Sequence, residues 1–275
     1  MLGIFLVGTA AAAGLYLSAD DSTALQQTAI NSDQQTPSKT SQTVQSAQTD
    51  NKEAESTYPE VDKVVYNTDL GVFKCKPSCF LAAVDKQHSL PESYQPEVQV
   101  IASYGSSRLV KDAADALLEL IDFLEAEGVK VELTSSYRSF ANQQSTFNRW
   151  VKIFMERDGL SQAEARIKAN TFSARPGHSE HQLGTTVDIN TVGAEPFNID
   201  DNRLLYGLLE KYAYRYGFVI SYPEAKEDLT GYVHEPWHIR YLGIDLATKI
   251  YKTAYLDPSS TMFSTKYLRD YGFSD

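Results

Sequence analysis

The chain has 275 residues with 36 acidic and 25 basic side chains, a net charge of −11. No Lys/Arg-rich block is present to neutralise phosphates, which argues against a nucleic-acid partner and favours a small or wall-like one. The length admits one large domain or two small ones, so organisation must be read from local composition.

Residues 1–19, MLGIFLVGTAAAAGLYLSA, carry no charged side chain. As a helix this segment would extend about 26 Å, borderline for a bilayer span. It has neither a positive n-region nor a clear A-x-A site, so signal peptide and uncleaved anchor both stand. No cysteine sits at its end, which excludes a lipobox. Residues 20–57 are dominated by Ser, Thr, Gln, Asn and Asp with almost no large apolar side chain. Such a stretch cannot bury enough surface to offset its ordering entropy and reads as a disordered linker, here a tether behind an anchor. Residues 20–62 hold eight acids and two bases, so part of the charge imbalance belongs to it. The only two cysteines, Cys75 and Cys79, are separated by three residues, unlike the two of a redox or zinc-knuckle C-x-x-C. In an exported chain they are expected to close a small disulfide loop.

The folded region is expected over 58–275, long enough for one substantial core. Residues 108–127 place Val110, Ala113, Leu117, Leu120, Ile121 and Leu124 at helical spacing before Gly128, predicting an amphipathic helix. Residues 129–138 alternate like a strand. Helices are predicted at 141–157 and 161–171, broken at Asp158-Gly159. Strands at 185–189 and 217–222 flank a helix at 201–216, and a last strand at 237–243 precedes a helix at 244–254. The mixture lacks regular strand–helix alternation. It implies an α+β fold with a small antiparallel sheet flanked by helices.

Four of the five histidines fall in two short segments, SARPGHSEHQLGTTVD at 173–188 and HEPWHIRY at 234–241. A catalytic zinc takes three His or carboxylate ligands and keeps one position open. His181, Asp188 and His238 can form that set, with His181 on a loop made flexible by Gly177 and Gly184. Asp188 lies in an apolar strand, where a carboxylate is costly to bury unless paired or metal-bound. Glu235 precedes His238 by three residues, but Pro236 rules out a helical H-E-x-x-H metal motif here. An extended or bulged E-P-W-H would set Glu235 beside the metal as a general base. Arg138, in SSYRS, is the candidate cation for a substrate carboxylate or an oxyanion, because its planar fork binds either bidentately.

SEHQLGTTVD and EPWH fit the S-x-H-x-x-G-x-A-x-D and E-x-W-H patterns of the VanY-type zinc D-alanyl-D-alanine carboxypeptidases of the LAS metallopeptidases. The resemblance extends through VDKQHSLPESY at 84–94, SSYRS with Gln143 and Gln144 after it, and YGFVISYPEAKEDLTGY, covering roughly 82–245. Thr186 stands where the pattern has alanine. The resemblance implies a LAS-type peptidase fold with the zinc site on the sheet. It implies Zn2+ on His181, Asp188 and His238, Glu235 as base, and Arg138 near the scissile carbonyl. Ser179, Gln144 and Trp237 are further substrate-contact candidates, whereas His178, His234 and His88 read as structural or solvent-facing. The implied activity is removal of the C-terminal D-alanine of peptidoglycan stem peptides outside the cytoplasm, by a chain held at the membrane or secreted. An L,D-carboxypeptidase acting on tetrapeptide stems is the nearest alternative. A non-catalytic zinc-containing wall-binding module is another, against which retention of Glu235 counts. A serine-type enzyme would need S-x-x-K or G-x-S-x-G, and neither is present.

Overall fold

The computed structural model describes residues 65–66, 81–255, 260 and 263–271. The apolar N-terminal segment, the polar linker and both cysteines lie outside them. Among the described residues no helix is long and apolar enough to cross a membrane.

In chain order the elements are β1 (Val65–Tyr66), β2 (His88–Ser89), β3 (Gln99–Val100), β4 (Arg108–Leu109), α1 (Lys111–Ala126), β5 (Val131–Ser135), α2 (Phe140–Asp158) and α3 (Gln162–Ala169). There follow a 3₁₀ turn at Glu180–Leu183, β6 (Thr186–Thr191), α4 (Arg203–Tyr212) with a 3₁₀ extension to Tyr216, and β7 (Phe218–Ile220). The chain then forms α5 (Glu227–Thr230), β8 (His238–Tyr241), α6 (Ile244–Ile250) running into a π turn, and α7 (Ser264–Tyr271). The expected α+β architecture is present. The main sheet is antiparallel, ordered β5-β6-β8-β7.

Each long helix has a local cause. Ser139 caps α2 by accepting from the Asn142 amide, and Gly159 ends it in the left-handed conformation at φ 67°. Ser161 and Glu164 form a reciprocal capping box on α3, so the break at Asp158-Gly159 is a true helix boundary. Phe147, Val151 and Phe154 of α2 pack on Ala165 and Ala169 of α3, making these two helices a hairpin with its own apolar centre.

Period-two alternation gives the sheet two unlike faces. Val187 and Ile189 of β6, Ile239 of β8, Phe218 and Ile220 of β7 and Val131 of β5 join Leu117, Leu120, Ile121 and Leu124 of α1 and Leu205 and Leu209 of α4 in the main core. The opposite face carries Thr186, Asp188 and Asn190 of β6 and His238 and Arg240 of β8, all buried. Apolar burial on one side thus fixes a register that lines up polar groups on the other. Val219 shares that second face and packs with Ala83, Leu242, Ala247, Ile250 and Leu268, so residues before β2 and the C-terminal helices cover its far end.

Element ends differ from the sequence expectation where backbone pairing overrides side-chain period. Arg108 and Leu109 pair with Gln99 and Val100 as a short ribbon, so α1 begins at Lys111 instead of 108. The strand expected at 129–138 is regular only over Val131–Ser135, with a register shift between Leu133 and Ser135. Gly177 and Gly184, expected to loosen the segment around His181, instead fix its shape, with φ of +82° and +72°. A Cβ on Gly177 would lie 2.8 Å from the Leu90 carbonyl oxygen, and one on Gly184 2.9 Å from Val98 Cγ1.

Gly177→Ala should therefore lower the denaturation midpoint, costing about 1–3 kcal/mol from the left-handed backbone alone. An unchanged midpoint would show that this turn relaxes freely.

Candidate metal centre and active site

The β6–β8 register sets Asp188 directly opposite His238. Cross-strand partners project to the same face, so a carboxylate and an imidazole from residues fifty apart meet with Asp188 Oδ1 3.1 Å from His238 Nδ1. His181 comes from the 3₁₀ turn preceding β6, and its Nε2 lies 3.3 Å from Asp188 Oδ2. The two imidazoles stand edge to face, centroids 5.0 Å apart. One potential ligand atom from each of the three residues lies within 4.8 Å of the others.

The hydrogen bonds around the triad fit a metal. His181 Nδ1 donates to the Ser136 carbonyl at 2.8 Å, which leaves its Nε2 as the lone-pair nitrogen. That Nε2 is buried with no hydrogen-bond partner. His238 Nε2 points to Glu180 Oε2 at 3.0 Å, which leaves Nδ1 facing Asp188. Two imidazole nitrogens and one carboxylate converging in a buried pocket is a donor set suited to zinc.

Charge follows the same geometry. Burial lowers the His181 pKa to about 4, helped by the Arg138 guanidinium, which keeps the ring neutral as a ligand must be. Asp188 is held ionised: burial opposes this, but both imidazoles outweigh it. Without a cation, His238 goes the other way. Burial pulls it down, yet hydrogen bonds to Asp188 and Glu180 push it up to about 10.

Glu235 is 4% exposed, with a carboxylate oxygen 3.8 Å from His238 Nδ1. The His238 amide bonds to the Glu235 carbonyl at 3.1 Å, so E-P-W-H is a tight turn with Pro236 in its second position, not the extended or bulged segment expected from sequence. The turn places the carboxyl beside the candidate ligand atoms without making it part of the triad. Burial raises its pKa to about 8, with Asp188 adding to the rise and His238, Lys86 and Arg138 opposing it.

Arg138 reaches the same pocket. Its amide bonds to the His181 carbonyl at 3.3 Å, and its buried Nε lacks a hydrogen-bond partner. Burial lowers its pKa while Asp188 and Glu235 sustain its charge. Of the other candidates, Ser179 is buried at the start of the 3₁₀ turn and Trp237 is half-buried against Phe197 and Tyr206. Gln144 lies on the exposed side of α2, while its neighbour Gln143 is fully buried and donates to the Ala174 carbonyl at 2.6 Å. His178 is buried with Nδ1 2.8 Å from the Asp85 carbonyl oxygen, and His88 pairs with the Asp85 carboxylate, both structural roles.

Sequence reasoning passed over three residues here. Glu180 is fully buried behind His238 and paired with Arg240, and it is held ionised at a pKa of about 2: burial opposes this, and Arg240 and His238 outweigh it. Lys86 bonds to Asn170 and lies 3.1 Å from the Tyr232 ring centroid, and burial pulls its pKa to about 6 against the attraction of Glu235. Tyr232 is buried with an unpartnered hydroxyl. Only the charges themselves, Glu180 inside the histidine motif and Lys86 ahead of His88, offered a signal.

The Glu235 shift has a measurable consequence in metal-free protein. Between the ordinary value of 4.5 and about 8, the folded state holds a proton that the unfolded state releases. Stability therefore falls as pH rises through that window. Glu235→Gln should match the parent near pH 4.5 and grow relatively more stable towards pH 8, by at most about 1.4 kcal/mol per pH unit. Chemical denaturation of both proteins across that range checks it, and parallel stability curves would contradict it.

The VanY family model, described as D-alanyl-D-alanine carboxypeptidase, matches residues 106–244. A D-alanyl-D-alanine carboxypeptidase of Enterococcus faecalis is 36% identical over 171 residues, 62% of this chain and 61% of that protein, so the chain spans about three fifths of that relative's length. Among solved structures, a variant of the VanY D,D-pentapeptidase from a VanB-type vancomycin-resistance cassette, in complex with Zn(II), is 34% identical, with TM-score 0.59 and coverage of 68% of this chain and 98% of that one. The LdcB LD-carboxypeptidase structure is also 34% identical, at TM-score 0.52, covering 63% of this chain and 81% of that one. The matched residues 106–244 take in Arg138, His181, Asp188, Glu235 and His238, and the chain belongs to the VanY D-alanyl-D-alanine carboxypeptidase family.

Proposed function

We propose that the chain is a zinc-dependent D-alanyl-D-alanine carboxypeptidase that hydrolyses the C-terminal D-alanine of peptidoglycan stem peptides. The observation that carries the reading is the convergence of His181 Nε2, His238 Nδ1 and an Asp188 oxygen, with Glu235 buried next to them.

His181, Asp188 and His238 would hold the metal, which when bound supplies Lewis acidity, acidifying the attacking water and polarising the scissile carbonyl. Glu235 takes the proton from that water and returns it to the departing amine. Its raised pKa in the metal-free pocket is the cost of an isolated buried carboxyl, and a dication beside it shifts the balance back towards the carboxylate. Arg138, half-buried with its buried Nε unpartnered, would face the negative charge that develops on the carbonyl oxygen, where low dielectric strengthens its effect. Ser179 and Trp237, next to the ligands in sequence, and the exposed Gln144 of α2 are the candidates for contact with the stem peptide.

An L,D-carboxypeptidase acting on tetrapeptide stems is the second reading, supported by the likeness to the LdcB LD-carboxypeptidase structure. Residues 1–19 and the polar 20–57 segment suit an extracytoplasmic enzyme, membrane-anchored or secreted, working on a polymeric wall.

Incubation of the protein with defined pentapeptide and tetrapeptide stems, with products identified by mass, separates the readings. Loss of one D-alanine from the pentapeptide is expected, and attack on the tetrapeptide alone would favour the L,D activity. Chelation should abolish turnover, while Glu235→Gln should retain zinc and lose about 10²–10⁴-fold in kcat. For Arg138→Lys, kcat should fall more than KM rises, since lysine cannot reproduce the fork. A rise in KM alone would reassign Arg138 to clamping the substrate carboxylate.

A further inference from the structure

The metal-binding face continues behind His238 into a buried polar node centred on Glu180, which is 0% exposed. One carboxylate oxygen, Oε2, receives His238 Nε2 at 3.0 Å and the Ser221 hydroxyl at 2.6 Å. The other, Oε1, receives Arg240 Nη1 at 2.7 Å and the Thr265 hydroxyl at 3.3 Å. Arg240 in turn donates through Nη2 to the Ala82 carbonyl at 2.6 Å. A carboxylate saturated on both oxygens cannot rotate without breaking several bonds, so the direction in which it offers Oε2 to His238 is fixed. Its donors come from β7's end, from β8 and from α7. One of them, Thr265, lies beyond the segment matched by the family model, and Ala82, whose carbonyl accepts from Arg240, precedes that segment.

We propose that Glu180 is the positioning residue of the metal centre, holding His238 as the Nε2–H tautomer with Nδ1 aimed at the metal, and that α7 completes this device through Thr265. The inference rests on the metal reading above. Orientation and charge both matter. A fixed ring avoids the entropy of ordering it on binding, and a carboxylate on the distal N–H makes the ligating nitrogen more basic. The polar neighbours of Glu180 argue against a purely structural ion pair. Arg240 alone would neutralise it, whereas here one oxygen is shared with a metal-ligand candidate and trimmed by a serine. α7 is short and bears Ser264 and Thr265 fully or nearly fully buried, so its N-terminal turn faces the node and not solvent.

The test is zinc affinity, measured by competition with a chromophoric chelator on the full chain. It is read alongside the visible spectrum of the cobalt(II)-loaded protein and the melting temperature of the metal-free protein. Glu180→Gln alone leaves Arg240 buried without its counter-charge and can fail to fold. The decisive variant is therefore the charge-neutral pair Glu180→Gln with Arg240→Met. It is expected to fold, to bind zinc about 10–100-fold more weakly and to show altered cobalt bands. Thr265→Val is expected to weaken zinc severalfold and Thr265→Ser, which keeps the hydroxyl, to restore parent affinity. A folded double variant with parent affinity and parent cobalt bands would overturn the role of Glu180. Parent affinity in Thr265→Val would overturn the role of α7. Failure of the parent itself to bind zinc would instead sink the metal reading, so the two failures are distinguishable.

Discussion

The pairing of Asp188 with His238 across β6 and β8 is the constraint on which the rest depends. A sheet one residue out of register would send one of these side chains into the apolar core and the other into the polar pocket. What prevents the slip is the opposite face. Val187, Ile189 and Ile239 must lie against α1 and α4, and burial of each such side chain contributes roughly 1.5–3 kcal/mol. The geometry of the candidate triad is thus held by hydrophobic contacts on the other face of the sheet. His181 is added locally, by a 3₁₀ turn whose flanking glycines bring the chain too close to Leu90 and Val98 for any side chain.

Around this pair the pocket is electrostatically graded. Arg138 and Lys86 act on Glu235 from within the pocket, while Glu180 and Arg240 balance each other beneath His238. An ionised Asp188, a neutral His181 and a carboxyl at Glu235 whose protonation is finely poised are consequences of where each side chain sits relative to those cations. Buried charges of this density are costly, and their pairing in a chain of ordinary composition marks a site built for chemistry instead of stability alone.

The convergence of His181, Asp188, His238 and Glu235 was legible in the sequence because each pair sits within a short motif, His181 with Asp188 and Glu235 with His238, and motif spacing survives translation into a turn and a strand. The α+β class was legible too, since α1 and α2 carry strong helical periodicity. The Glu180 node was not. Its members Ser221, Arg240 and Thr265 are 41, 60 and 85 residues away and meet only through strand order and the return of α7. The phase of α2 was likewise invisible at single-residue precision, so Gln143 and Gln144 could not be told apart as buried and exposed. Pro236 signalled that E-P-W-H is not helical, but its closure into a hydrogen-bonded turn depends on β8 beginning at His238.

The central claim is that His181, Asp188 and His238 bind one zinc through two imidazole nitrogens and a carboxylate oxygen. Zinc K-edge X-ray absorption on the purified, zinc-loaded chain tests it most directly. The account predicts one zinc per chain with only nitrogen and oxygen neighbours at about 2.0–2.2 Å, including imidazole scattering from two rings. A sulfur shell at about 2.3 Å, which would place the metal on Cys75 and Cys79, or a spectrum without imidazole scattering, would contradict it.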